Sequence, residues 1–139
     1  MYLPRHFEQG DAAALAALMH QQPLATLVIA TPEGPTADLI PLEYRAHDGP
    51  HGTLRGHVAR ANPQWRDSDF AKPALAVFMG PDTYVSPSWY PSKTEHGKAV
   101  PTWNYVAICA RGHIETFDDR DALHAHVGEL SDRHEAAFP

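Results

Sequence analysis

Cysteine is nearly absent. The single Cys109 in 139 residues excludes an intramolecular disulfide, and its setting in VAICA reads as a buried, inert thiol in a protein of the reducing cytoplasm. Cationic residues are also scarce, with 11 Lys and Arg against 17 Asp and Glu and a formal charge of -6. Nonspecific binding to nucleic acid draws on a basic surplus that this chain lacks, so direct DNA binding is not expected without a partner. No run approaches eighteen apolar residues, and the start MYLPRHFEQG has no apolar signal-peptide core, so neither membrane insertion nor export is expected. Internal repeats, low-complexity tracts, GxGxxG, Walker, nucleophile-elbow and CxxC motifs are all missing. Ten histidines are present, but His47 and His51 flank a Gly-Pro turn, and His124 and His126 stand two apart on a helix, where their side chains diverge. No metal site is expected.

What is present is 43% hydrophobic, enough for the core of one compact domain. DAAALAALMHQQ reads as a short amphipathic helix with Asp11 as N-cap and Leu15, Leu18 and Met19 at helical spacing. LATLVIA, the turn TPEGP and TADLIPLEYR, with Ile40, Leu42 and Tyr44 at period two, predict an antiparallel hairpin. TLRGHV is a third strand and ALAVFMG a fourth, with a short helix over residues 63–70 between them. WNYVAICARGHIETF predicts a long strand bent at Gly112. DDRDALHAHVGELSDRHE predicts a helix capped by Asp118, with Leu123, Val127 and Leu130 facing inward. Strands joined by short turns, with helices at the ends, favour a mainly β protein with flanking helices built as a small antiparallel barrel.

Two stretches invite a functional reading. In GHVARANPQW, Asn62 is a favoured N-cap and Pro63 suits the first helical position. Arg60 is then either a solvated surface residue, with Trp65 packing the helix onto the sheet, or part of an anion site where its planar fork and the helix N-terminus grip a phosphate. His57 lies on the strand leading into that point, where a hydrogen-bonded structural role is the commoner one. The second stretch, residues 83–105, gathers Tyr84, Trp89, Tyr90, Trp103 and Tyr105 among Pro87, Pro91 and Pro101. Aromatics on a rigid loop face a ligand or a subunit, or else plug one end of a barrel.

MYLPRHF, GHVARANPQW, GPDTYVSPSWY, VPTWNY and LSDRHEAAFP, in collinear order over essentially the whole chain, resemble the PaiB-type negative transcriptional regulators, an FMN-binding split-barrel family. The resemblance implies an antiparallel split β-barrel over residues 1–139, a homodimer, and FMN in a groove between subunits. By the same resemblance Arg60, Ala61 and Asn62 hold the phosphate, and His57 lies beside the ribityl chain or ring. Ile40, Pro41 and Leu42 back the isoalloxazine, and Trp103, Asn104 and Tyr105 cover it from the partner subunit. Related flavin oxidases carry a denser basic clamp than Arg55, Arg60 and Arg66, which implies weak FMN binding or none. Members continue well beyond the D-R-H-E segment, so the C-terminal part of the domain is expected to lie outside this chain. The function implied is a flavin- or redox-linked regulator. The alternatives are an FMN-dependent oxidoreductase for a small substrate and a non-flavin interaction protein on the same fold.

Overall fold

The computed structural model describes residues 1–136 and 138. Alternating apolar positions build a four-stranded antiparallel sheet in the order β2-β1-β5-β6, from β1 (Leu24–Thr31), β2 (Gly34–Pro41), β5 (Ala74–Val85) and β6 (Thr102–Gly112). A separate hairpin pairs β3 (Glu43–Arg45) with β4 (Thr53–Arg55). The helices are α1 (Ala12–Gln21), α2 (Gln64–Asp67), α3 (Pro91–His96) and α4 (Arg120–Glu135). The protein is therefore mainly antiparallel β with flanking helices. Its two sheets do not join in a closed ring, which is compatible with a split barrel.

Asp11 caps α1 by accepting from the Ala13 N–H at 2.9 Å, and the helix lays Leu15 and Met19 against the sheet. There they meet Ala25, Ile40, Leu42, Ala76 and Phe78, the core of the molecule. Phe78 has no exposed surface, a burial that stabilises by about 1.5–3 kcal/mol. The TPEGP turn makes the expected hairpin, with Thr31 opposite Gly34 and Gly34 at a φ of 123°. β2 is one edge of the sheet and contains Pro35 and Pro41, while β6 is the other edge.

Several expected boundaries move. TADLIPLEYR does not run as one strand. It breaks at Leu42, whose N–H donates to the Pro23 carbonyl at 2.8 Å, and past the break both Leu42 and Glu43 are buried. TLRGHV is regular only through Arg55, because the next residues lie against Pro41, which has no N–H with which to extend a ladder. β6 stops at Gly112, and His113–Asp119 is irregular rather than strand. The final helix starts later than expected, capped by Asp119, which accepts from the Ala122 N–H at 2.8 Å, and not by Asp118. Val127 is exposed and His126 is buried in the inward position instead. The aromatic loop is not structureless: residues 87–89 form a 3-10 turn and 91–96 form α3, which ends at Gly97 in the left-handed region.

Gly80 and Pro81 form a bulge where the β5–β6 register shifts between Met79 and Asp82. A Cβ on Gly80 would stand 3.1 Å from Leu18 Cδ1 and 3.2 Å from Val106 Cβ, so helix and strand both close on it. Beyond the bulge the strands stay paired from Asp82–Tyr105 to Val85–Thr102, and Tyr84, Trp103, Tyr105 and Val106 on this stretch are all exposed while Val85 is buried.

Candidate functional site

The RANP segment is a tight bend followed by a single turn of helix. The Asn62 N–H donates to the Ala59 carbonyl at 2.8 Å, and Asn62 Oδ1 accepts from the Gln64 N–H at 2.8 Å. Asn62 Nδ2 donates to Asp38 Oδ2 at 2.7 Å, which ties the bend to β2. Behind it Gln64 is buried and donates to the Leu27 carbonyl, and the Trp65 indole donates to the Arg60 carbonyl. The expected helix over 63–70 shrinks to Gln64–Asp67. Four residues carry little dipole, and Asn62 already satisfies the Gln64 N–H, so the helix end adds little to anion binding. Arg60 is different. It is exposed, and among the described residues its guanidinium has no carboxylate partner and the N–H groups of Arg60 and Ala61 have no backbone acceptor.

Four residues upstream, Gly56 presses against β2. A Cβ there would fall 2.6 Å from Leu42 Cδ2, 3.0 Å from the Pro41 carbonyl oxygen and 3.2 Å from Ile40 Cγ2. This approach brings His57 beside the Ile40-Pro41-Leu42 segment, with Arg60–Asn62 following on the same connection. Ile40 and Leu42 point into the core, leaving Pro41 and the exposed His57 at the surface of this wall. Trp103, Asn104 and Tyr105 are elsewhere. They lie on β6, three strands from β2 and roughly 14 Å across the sheet at ordinary strand spacing. One chain does not bring the two groups together.

A charged cluster behind His57 escaped the sequence reading. Glu43 is 4% exposed and accepts from Arg45 Nε at 3.3 Å and from Arg45 Nη2 at 3.1 Å. Arg133 of α4 also donates to Glu43, and Arg45 donates to Glu129 of α4. Burial pushes the Glu43 carboxyl up, but the Arg45 hydrogen bond and the charges of Arg133 and Arg45 outweigh it and hold it below the usual carboxylate range. His126 lies between them, 4% exposed, its Nδ1 4.0 Å from Glu43 Oε2 and its ring 5.5 Å from that of His57, edge-on. Among the described residues neither ring nitrogen has a hydrogen-bond partner. Burial first, then the charges of His57 and Arg45, hold His126 below the ordinary histidine value against the opposing pull of Glu43 and Glu129. The available signal was the stripe Leu123, His126, Leu130 and Arg133, at i, i+3, i+7 and i+10 on one helix face.

Elsewhere, a groove of about 520 Å³ between the β1–β2 turn and α2 is lined by Glu33, Arg66 and Asp67 among others. Its charge balance is acidic, which suits no anion. Among the described residues no three His, Cys, Asp or Glu side chains group as a metal site, and no helix is long and apolar enough to cross a membrane.

The chain is thus a small antiparallel β domain with flanking helices, whose strand-to-bend wall carries an exposed arginine without a carboxylate partner among the described residues and whose far sheet edge carries exposed aromatics. The chain belongs to the family described as "Putative FMN-binding domain", which it matches over residues 1–139. The likeness to PaiB-type proteins read from the sequence holds. Over 135 residues the chain is 30% identical to the protease synthase and sporulation protein PAI 2 of Bacillus subtilis, covering 97% of this chain and 62% of that protein. It is 29% identical over 158 residues to the uncharacterized protein YKL070W of Saccharomyces cerevisiae, covering 100% of this chain and 93% of the relative. A third relative, the uncharacterized protein AN0679 of Emericella nidulans, is 30% identical over 174 residues, covering 99% of this chain and 68% of its own length.

Proposed function

We propose that this chain binds FMN as a homodimer and acts in the cytoplasm as a flavin- or redox-linked regulator. The observation that carries the reading is the exposed Arg60, unpaired among the described residues, in a chain whose full length matches an FMN-binding family. The Arg60 guanidinium and the free N–H groups of Arg60 and Ala61 suit the phosphate, while Asn62 holds the bend in shape through Asp38 and Gln64. Pro41 and His57 would flank the ring, with Ile40 and Leu42 fixing that wall from the core. The nearby Asp38 carboxylate and the sparse cations argue for modest affinity. Trp103, Asn104 and Tyr105 would close the site from a second copy, since they stand on the opposite sheet edge from β2. When bound, FMN supplies one- or two-electron chemistry, and these residues bind it, orient it and exclude water. The regulatory half of the reading is supported by the sporulation-linked name of the Bacillus subtilis relative.

Titration by flavin fluorescence quenching tests the site. FMN should bind more tightly than riboflavin, and Arg60→Ala should weaken FMN by about 1.5–3 kcal/mol while leaving riboflavin nearly unchanged. Equal affinity for the two flavins would remove the phosphate assignment.

A further inference from the structure

Helix α4 turns His126, Glu129 and Arg133 onto one face, at i, i+3 and i+7, and that face is docked on β3 and the segment after β4. The docking is mostly ionic: Arg133 meets Glu43, and Arg45 bridges Glu43 and Glu129. His126 stands apart from this scheme. Its two ring nitrogens are buried without partners among the described residues, an arrangement that is unfavourable for a polar ring and that a leucine at the same position would avoid. What the ring does contact is His57, edge to face at 5.5 Å and an interplanar angle of 71°. Aromatic pairs in this geometry favour a definite orientation. His57 is otherwise exposed, and no hydrogen bond fixes its ring among the described residues. The groups facing His126 are His57 from the post-β4 segment, Glu43 and Arg45 from β3, and Glu129 and Arg133 from its own helix.

We propose that His126 is a positioning residue, holding the His57 ring edge-on at the candidate flavin site so that docked α4 forms the back of that site. The flavin half of this inference rests on the function proposed above, while the pairing of His57 with His126 stands on geometry alone. Contact with His126 confines the side chain of His57, and the salt bridges of Glu43 keep His126 where it can do so. Loosening α4 therefore frees His57 without touching any residue that meets the ligand.

Ring-proton NMR of the ligand-free protein separates the two halves. His57 should show a shifted, narrow ring signal in the wild type, lose that shift in His126→Ala and keep most of it in His126→Phe, which preserves an aromatic contact but neither nitrogen. His57→Gln identifies the signal, and His126→Leu, which fills the space without an aromatic ring, serves as a second variant that should also lose the shift if His126→Ala folds poorly. FMN and riboflavin should both weaken by on the order of tenfold in His126→Ala and recover in His126→Phe, since the phosphate contact is untouched. His57 ring signals that ignore His126→Ala would overturn the proposal. Failure of the wild type to bind either flavin would instead overturn the flavin reading and leave the ring signals to decide the histidine pair.

Discussion

Replacing Gly56 by alanine tests the contact on which the candidate site is built. The added Cβ would meet Leu42 Cδ2 at 2.6 Å, the Pro41 carbonyl oxygen at 3.0 Å and Ile40 Cγ2 at 3.2 Å. Leu42 is a core side chain with little room to turn, and the Pro41 carbonyl is backbone held in β2, so relief requires the 55–58 segment to move outward. Overpacking of this kind costs roughly 1–3 kcal/mol. For a domain of this size each kcal/mol lowers the melting temperature by roughly 3–5 °C, between the values for smaller and larger domains. Thermal unfolding followed by circular dichroism should therefore place Gly56→Ala at least about 3 °C below the wild type. Gly112→Ala is the control, because a Cβ there meets nothing within 4 Å and its φ is not left-handed. The displaced segment carries His57 and leads into Arg60, so FMN affinity should fall together with stability. A Gly56→Ala protein that melts with the wild type would refute the close approach, and with it the wall assigned to the flavin.

Three further outcomes follow from the same geometry. Glu43→Gln leaves Arg45 and Arg133 facing a neutral amide. Because those arginine side chains are 28% and 44% exposed, the loss should be about 1–3 kcal/mol in guanidinium unfolding, below the range for fully buried pairs. Two groups set the acid response with the same sign: the His126 contribution is intact above about pH 6.5 and fades as pH falls from there toward its lowered folded value, whereas the Glu43 contribution, intact above its ordinary 4.5, fades only as pH falls through its lower one. Stability should thus begin to decline as pH falls below about 6.5, and His126→Phe should flatten that slope in a pH series of melts. Light scattering should return twice the 15.3 kDa chain mass, and Trp103→Ala should shift it toward monomer.

Where a strand or helix is decided by local pattern, the sequence was readable. Asp11 caps α1, the TPEGP turn closes its hairpin, and short apolar runs mark β1 and the first part of β5, because each depends on neighbours a few residues away. The failures lie where a distant group intervenes. β4 stops at Arg55 because of Pro41, fourteen residues earlier, and the long TADLIPLEYR pattern breaks after Pro41, where the register sets Leu42 opposite Pro23, which has no N–H to return a second bond. The candidate site was legible as residue types, with Arg60 and His57 recognisable from GHVARANPQW. Its support was not. Asn62 reads as a helix cap in sequence, but its bond to Asp38 requires β2 to be alongside. His126 looks like a surface histidine until Glu43 and His57 are placed next to it, and only the helical stripe with Leu123 and Leu130 hinted at its burial.

The prolines of β2 have a consequence for how copies of this chain can stick to one another. Leu42 donates its N–H toward the β1 side, to Pro23, so by strand alternation the even-numbered residues of β2 face β1 and the odd-numbered ones face outward. Pro35 and Pro41 are both odd. Of the four outward positions from 35 to 41, only Ala37 and Leu39 retain a donor, and the Gly56 segment lies beside Pro41. An incoming strand would find a ladder missing its first and last rungs, and proline on an edge strand is one way natural sheets protect an edge against runaway strand addition and aggregation. The β6 edge, from Thr102 to Gly112, has no such guard. Uncontrolled association of the unfolding or overexpressed protein should therefore begin at β6, and a proline placed at an outward position there would suppress it where the same change in β2 would do nothing.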